Sequence, residues 1–365
     1  MRGLYIHIPF CIKKCKYCDF TSFTECEGIF GAYIEKICIE MLEYKGEEID
    51  TVFNGGGTPS LLDIYDLKKM IDCIKDTFVL KESAEFTIES NPKTLTYEKL
   101  IEIKNMGVNR ISIGVQSFND EELKKIGRIH DANDAEDAVM MAKEAGFSNI
   151  NIDLMFSLPG QTLESFKNNL NKAINLGITH ISCYSLILEE GTPLFEEYEK
   201  DLLNLPDEET DREIYQFTCE ELKKNDFIQY EISNFSKKGY ECKHNLKYWD
   251  CDEYIGIGVA AHSYYKGVRY FNTDSLDIYM EKNEREYNEL TIDDKIKEFV
   301  IMGFRKTKGI NKKEFFNRFK KEFFDVYSEP IEKFKKLALL EENEEFISLT
   351  ESGISVSNSV LCEFV

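Results

Sequence analysis

The chain has 365 residues, 42% hydrophobic and 13% aromatic, enough for one large core with appendages and too apolar for wholesale disorder. A formal charge of −22 argues against a nucleic-acid partner, whose footprint would be basic. Eleven cysteines in a long chain with no room for a signal peptide ahead of the first strand, and no apolar run of membrane-spanning length, point to a reducing, cytoplasmic setting.

The first predicted strand, 3–9, runs into Cys11-Ile12-Lys13-Lys14-Cys15-Lys16-Tyr17-Cys18-Asp19-Phe20. Three thiols in eight residues are poor core filler and a good soft ligand set for zinc or for an iron–sulfur cluster. A structural zinc ion asks for four protein ligands. His7 and Cys26 are the nearest candidates for a fourth, and neither completes a recognisable zinc spacing. The shortage favours a cluster held by Cys11, Cys15 and Cys18 with one iron left open.

Five further short apolar runs follow, at 51–54, 84–89, 110–116, 148–154 and 180–186. Amphipathic stretches at 29–44, 64–78, 97–106, 132–145 and 163–176 separate them. This alternation predicts an α/β fold, a partial (β/α)6 TIM-like barrel of parallel strands with right-handed crossover helices. Chemistry in such barrels sits at the carboxyl ends of the strands. The second strand ends in Gly55-Gly56-Gly57-Thr58-Pro59, a run able to bring backbone close to a ligand with its N–H groups exposed, or to make an ordinary tight turn. The third strand ends at Glu89, the fourth at Gln116, the fifth carries Asp153, and Arg128 follows the fourth. Polar groups at strand ends either bond neighbouring loops or face a ligand.

Beyond a turn at 189–193, a helix is predicted over 206–224 and strands over 229–234 and 254–265, extending the barrel sheet. Gly256, Gly258, Ala260 and Ala261 in the latter permit close approach of backbone or ligand. Between these strands lies Cys242-Lys243-His244-Asn245-Leu246-Lys247-Tyr248-Trp249, with the chain's only tryptophan. His244 is either a satisfied structural histidine or, beside Tyr and Trp, an axial ligand to heme iron, with Cys242 as a substitute. Helical patterns at 293–306, 312–323 and 330–340, a strand at 346–349 and a segment at 353–364 predict a small winged-helix-like α+β domain. The expected divisions are 1–200, 201–290 and 291–365. A basic cluster, Arg305, Lys306, Lys308, Lys312, Lys313, Arg318, Lys320 and Lys321, reads as a solvated helix face or a docking surface for an acidic partner or anionic lipid.

Cys-x-x-x-Cys-x-x-Cys after a first strand resembles the radical S-adenosylmethionine (SAM) superfamily, and the flanks YIHIPFC and CKYCDF resemble its oxygen-independent coproporphyrinogen oxidase group. The resemblance implies a 4Fe–4S cluster on Cys11, Cys15 and Cys18, with SAM chelated by the open iron and its sulfonium cleaved by an electron from the cluster. It implies SAM contacts at Gly56, Gly57, Thr58, Glu89, Gln116, Arg128 and Asp153, with Tyr5 and Tyr17 also matching. His-Asn-x-x-Tyr-Trp resembles a motif of the heme chaperones within the group, whose histidine is a heme contact. The oxidases carry a further cysteine where Phe20 stands and an extension ahead of the first strand, where only Met1-Arg2 precede Gly3. Both differences favour a heme carrier over coproporphyrinogen decarboxylation, the alternative. A carrier of this kind implies heme or another tetrapyrrole as ligand, acceptor hemoproteins (membrane-bound respiratory enzymes among them), no nucleic acid, and a chain able to pair as a homodimer.

Overall fold

The computed structural model describes residues 1–282 and 284–365. Six strands, β1 (Arg2–Ile8), β2 (Glu48–Gly56), β3 (Val79–Ser90), β4 (Arg110–Gln116), β5 (Asn149–Phe156) and β6 (His180–Ser185), pair in chain order and all in parallel. Between them run α1 (Phe30–Met41), α2 (Ile64–Thr77), α3 (Tyr97–Asn105), α4 (Asp120–Lys125), α5 (Ala132–Glu144) and α6 (Leu163–Asn175). Asp63, Thr96, Asp131 and Thr162 cap α2, α3, α5 and α6 through side-chain bonds to first-turn amides, so local chemistry starts each helix where the strand ends. The helices pack on one face of the sheet. Ile111, Ile113, Val115, Ile150, Ile152, Leu154 and Ile181 are buried in that apolar layer. The alternate residues, Arg110, Ser112, Asn151, Asp153, His180 and Ser182, therefore point to the other face, the lumen.

The sheet is extended at both edges, as expected. After α7 (Pro193–Glu199) and α8 (Glu208–Lys224), β7 (Ile228–Glu231) and β8 (Asn234–Ser236) form an antiparallel pair whose β8 adds antiparallel to β6. The single strand expected over 229–234 is thus two short ones. At the other edge, past α9 (Lys243–Trp249), β9 (Tyr254–Ile257) lies parallel to β1, followed by β10 (His262–Tyr265), β11 (Val268–Asn272), α10 (Leu276–Glu281) and β12 (Arg285–Asn288). The strand expected over 254–265 is therefore a hairpin. Its reversal falls on Gly258 (φ +107°) and Ala260 (φ +56°), and a Cβ on Gly256 would stand 2.0 Å from His262 O. Gly256 and Gly258 serve backbone approach here, and Ala260 lines a cleft. Buried Glu40 of α1 pins the extension, accepting from Gly258 N–H (3.0 Å), Asn272 Nδ2 (2.8 Å), Tyr279 Oη (2.5 Å) and Arg285 Nη2 (3.0 Å).

The remaining elements are α11 (Ile292–Gly303), β13 (Ile310–Asn311), α12 (Lys312–Phe319), α13 (Phe323–Lys336), β14 (Leu340–Glu342), β15 (Phe346–Leu349) and short C-terminal turns. They close over their own apolar cluster, which includes Phe299, Phe304, Phe315, Phe323, Phe334 and Phe364. The helix expected from residue 330 starts earlier, at Phe323, and runs through Pro330 with a break at Tyr327 (φ −128°, ψ 31°). Proline suits a first helical turn, and here it follows the break. The basic cluster is largely neutralised at home. Lys306 pairs with Asp250, Lys312 with Glu342 (3.0 Å), Arg318 with Asp252 (3.0 Å) and Glu314 (2.6 Å), and Arg305 lies over the Trp249 ring (4.5 Å). Cys38 and Cys73 form a disulfide between α1 and α2, and the other nine cysteines are free thiols. Among the described residues no helix is long and apolar enough to cross a membrane.

Candidate functional site

The cysteine loop leaves β1 at Phe10 and is tied back at once. Cys11 N–H donates to Phe23 O (3.0 Å) and Phe23 N–H to Pro9 O (2.6 Å). His7 anchors the far side, with Nε2 bonded to Thr21 O and Nδ1 to the Tyr5 hydroxyl, both at 2.9 Å. Lys16 N–H reaches Ile126 O (3.0 Å), which seats the loop beside the turn carrying Arg128.

The three thiols are free and half-buried. Cys11 Sγ lies 3.6 Å from Thr58 Oγ1, and Cys15 Sγ accepts from Arg128 Nη1 at 3.4 Å. Burial first, then proximity to Cys15 and Cys11, pushes the Cys18 thiol up to about 11; burial also raises the Cys11 thiol above its ordinary value. The sulfurs thus share one neighbourhood. Among the described residues no three His, Cys, Asp or Glu side chains are drawn together closely enough to hold a metal ion, Cys11, Cys15 and Cys18 included.

Strands β2 to β6 bring the other predicted residues to the same rim. Gly56 (φ +105°) and Gly57 allow β2 to press on the cysteine loop: a Cβ would stand 2.5 Å from the His7 ring and 2.7 Å from Phe10 O, respectively. Their amides are not open to a ligand as expected. Gly56 N–H donates to Glu89 Oε2 (3.1 Å), Gly57 N–H to Ile8 O and Thr58 N–H to Phe10 O, both at 2.8 Å. Burial, then the charge of Asp153, pushes the Glu89 carboxyl up to about 8, against the pull of Gly56 N–H and Arg110. Burial also raises Asp153, whose Oδ1 accepts from Asn151 Nδ2 (2.8 Å). Gln116 sits at a break in the β4–β5 register in left-handed backbone (φ +67°), and its Oε1 accepts from Tyr184 Oη (3.0 Å). Arg128 donates Nη2 to Gly114 O and keeps a buried Nε without a partner. Burial opposes its charge, yet Tyr17 and Cys15 beside it raise it further. Tyr17 packs with Tyr184 on Met155 and Ile126.

This rim suits a cluster with a cationic, carboxylate-bearing cofactor beside it. The three thiols of one loop, an orphaned guanidinium nitrogen, and Glu89 and Asp153, two carboxyls raised by burial, lie toward one end of the lumen. Ionised carboxylates there would gain from a nearby cation, and the guanidinium from a carboxylate.

His244 is elsewhere. It sits in α9, which crosses the floor of the lumen at the opposite strand ends, and is fully buried. Nδ1 bonds Thr51 Oγ1 and Nε2 bonds Tyr248 Oη, both at 2.9 Å, and the ring stacks on Phe53. Burial, then Lys247 and Arg110, pushes it down to about 3. With both ring nitrogens bonded, His244 fits the structural alternative, and a ligand role would require it to give up the Thr51 or the Tyr248 bond. Cys242 is fully buried with Sγ 3.7 Å from Glu85 Oε1. Glu85 also accepts the α9 amides of Lys243 and His244, both at 3.1 Å. His180 completes the floor between Asn151 Oδ1 (2.6 Å) and Tyr230 Oη (2.7 Å).

A cleft of about 720 Å³ opens beside the rim. It runs from Asp19, Phe20 and Thr21 of the cysteine loop, past Tyr248 and Trp249 at the end of α9 and His262 and Arg269 of the extension, to Glu298 and Met302 of α11. The sequence reading missed Arg110, Tyr184 and His262, and weighed His7 only as a fourth zinc ligand, not as the anchor of the loop. The signal for Arg110 and Tyr184 was present: polar residues alternate with apolar ones along β4, β5 and β6, which marks a polar lumen.

Residues 5–173 match the radical SAM superfamily and 290–356 the HemN C-terminal domain. The heme chaperone HemW of Lactococcus lactis is 39% identical over 365 residues, covering 99% of this chain and 96% of that one. Its Bacillus subtilis counterpart is 38% identical, covering 100% and 99%. The Escherichia coli HemW is 40% identical over 71% of this chain and 69% of its own. The coproporphyrinogen III oxidase HemN of Escherichia coli shares the fold, with a TM-score of 0.86 at 24% identity over 99% of this chain and 89% of that one. With identity to HemW sustained from end to end, the chain belongs to the HemW heme chaperone family of the radical SAM superfamily.

Proposed function

We propose that this protein binds heme and delivers it to hemoproteins, respiratory enzymes of the membrane among them, on a scaffold that also holds a 4Fe–4S cluster and SAM. The observation that carries the reading is the cleft. It is within the size range of small-molecule sites, walled by aromatic residues, and begins at the cysteine loop itself. In this reading Cys11, Cys15 and Cys18 hold the cluster, which the superfamily implies. Glu89, Asp153, Gln116 and Arg128 hold SAM, with Gly56, Gly57 and Thr58 shaping its seat and Tyr5 and Tyr17 walling it. When bound, the cluster supplies an electron to the sulfonium.

The chain's own residues prepare that chemistry. Arg128 steadies the Cys15 sulfur and keeps one nitrogen for an anion; Glu89 and Asp153 await a cation; His7 holds the loop against the barrel. Phe20, 64% exposed, puts an apolar ring at the cleft mouth where a fourth thiol would stand in the oxidases.

Anaerobic incubation of the reconstituted protein with SAM, reductant and coproporphyrinogen, alongside a heme titration, tests the reading. Saturable heme uptake without protoporphyrinogen is expected. Protoporphyrinogen formation would establish the decarboxylase instead.

A further inference from the structure

The chain has five histidines. His7, His180 and His244 engage both ring nitrogens, and His130 bonds Val115 O (3.0 Å) through one while the other is buried. His262 differs. It is exposed, its nitrogens take no hydrogen bond among the described residues, and its ring stacks on Phe271 (centroids 4.9 Å apart, 22°). It stands at the start of β10, on the wall of the cleft facing the aromatic end of α9 and Met302.

A metalloporphyrin asks for aromatic walls and a neutral imidazole with a free nitrogen. The cleft supplies both. Burial, then Arg269, lowers His262 below its ordinary value, so the ring is neutral near pH 7. Arg269, held by Glu298 (2.7 Å) and Tyr254 Oη (3.2 Å), is the cation of the lining; Asp19, Asp274, Glu286 and Glu298 repel carboxylates and turn propionates toward solvent. The rival soft ligand is the half-buried Cys251 thiol, but burial and Glu298 push it up to about 12, which keeps it protonated.

Building on the heme-carrier reading, we infer that heme lies in this cleft with His262 as an axial ligand to its iron, one edge against the cysteine loop at Phe20. The contact makes the state of the loop and the occupancy of the cleft interdependent.

Visible-absorption titration of the anaerobically reconstituted full chain with ferric heme tests the site. His262→Ala should bind roughly tenfold or more weakly and lose the Soret position of the parent complex, and added imidazole should restore it. His262→Met, which keeps a ligand of similar bulk, should bind with a shifted Soret band, and Cys251→Ser should match the parent. If the parent takes up no heme, the carrier reading fails. If the parent binds heme and both His262 variants give its spectrum and affinity, this site is wrong and the carrier reading stands.

Discussion

The two ends of the barrel lumen are built from the same strands and behave differently. At the floor, His244, His180, Glu85, Asn151 and Tyr230 bond one another or the α9 backbone, while buried Arg110, near Glu85 and Asp153, keeps its Nε without a partner. At the rim, Arg128 Nε, Ser22 Oγ and Ser90 Oγ are buried without partners, Glu89 is pushed to about 8, and Gln116 adopts left-handed backbone. Buried polar groups are ordinarily bonded, so unmet ones beside a raised carboxyl and a left-handed residue mark a place for a ligand. The floor is a plug; the rim is a receptacle. His244 carries the lesson, because the motif left a ligand and a strut both open and its bonds fit the strut.

The sharpest break between the ends is metal content. Replacing Cys11, Cys15 and Cys18 together by Ala should abolish bound iron and acid-labile sulfide in anaerobically reconstituted protein. Thermal unfolding of the cofactor-free chain should barely change, because the thiols lie half-buried in a loop outside the apolar core. Iron retained at parental stoichiometry would show that the rim does not hold the cluster.

The floor should answer in the opposite way. His244→Ala strands the Thr51 and Tyr248 hydroxyls in a buried site and opens a cavity against Phe53, at a cost of about 3 kcal/mol in urea unfolding. Heme affinity per folded molecule should be unchanged. Lost affinity with parental stability would return His244 to the binding site and erase the distinction between plug and receptacle.

Which parts were legible in the sequence follows from the same contrast. The six parallel strands and their helices could be read because apolar runs and capping residues are local signals, and the cysteine loop because its ligands are adjacent. The rim residues were named through family resemblance and strand-end position. The hairpin at 258–261 was missed because Gly258 and Ala260 set a turn whose need, the Tyr33 hydroxyl 2.6 Å from a Gly258 Cβ, is contributed by a distant helix. His244 stayed between two readings because Thr51, Phe53 and Glu85 lie far from it in sequence. His262 was passed over because only the fold shows that the other four histidines are engaged.

The finest test of the comparison is the pH dependence of Glu89. Its folded value, about 8, exceeds the ordinary 4.5, so between those values the folded carboxyl keeps a proton that the unfolded chain has already lost. Folding then takes up a proton, and stability falls as pH rises through the window. Below about 4.5 both states are protonated and the effect vanishes; above about 8 the cost of burying the carboxylate is complete. Glu89→Gln cannot ionise, so the cofactor-free variant should gain on the parent as pH rises from 4.5 to 8, by up to about 5 kcal/mol. A flat difference across that range would mean the carboxylate is already satisfied, as a floor residue would be. SAM should reverse the preference, since its cationic sulfonium and ammonium favour the ionised form. Its affinity for the parent should therefore weaken as pH is lowered below 8, and Glu89→Gln should bind it more weakly with that slope removed. A residue that destabilises the empty barrel and strengthens the filled one is the behaviour that separates a receptacle from a plug.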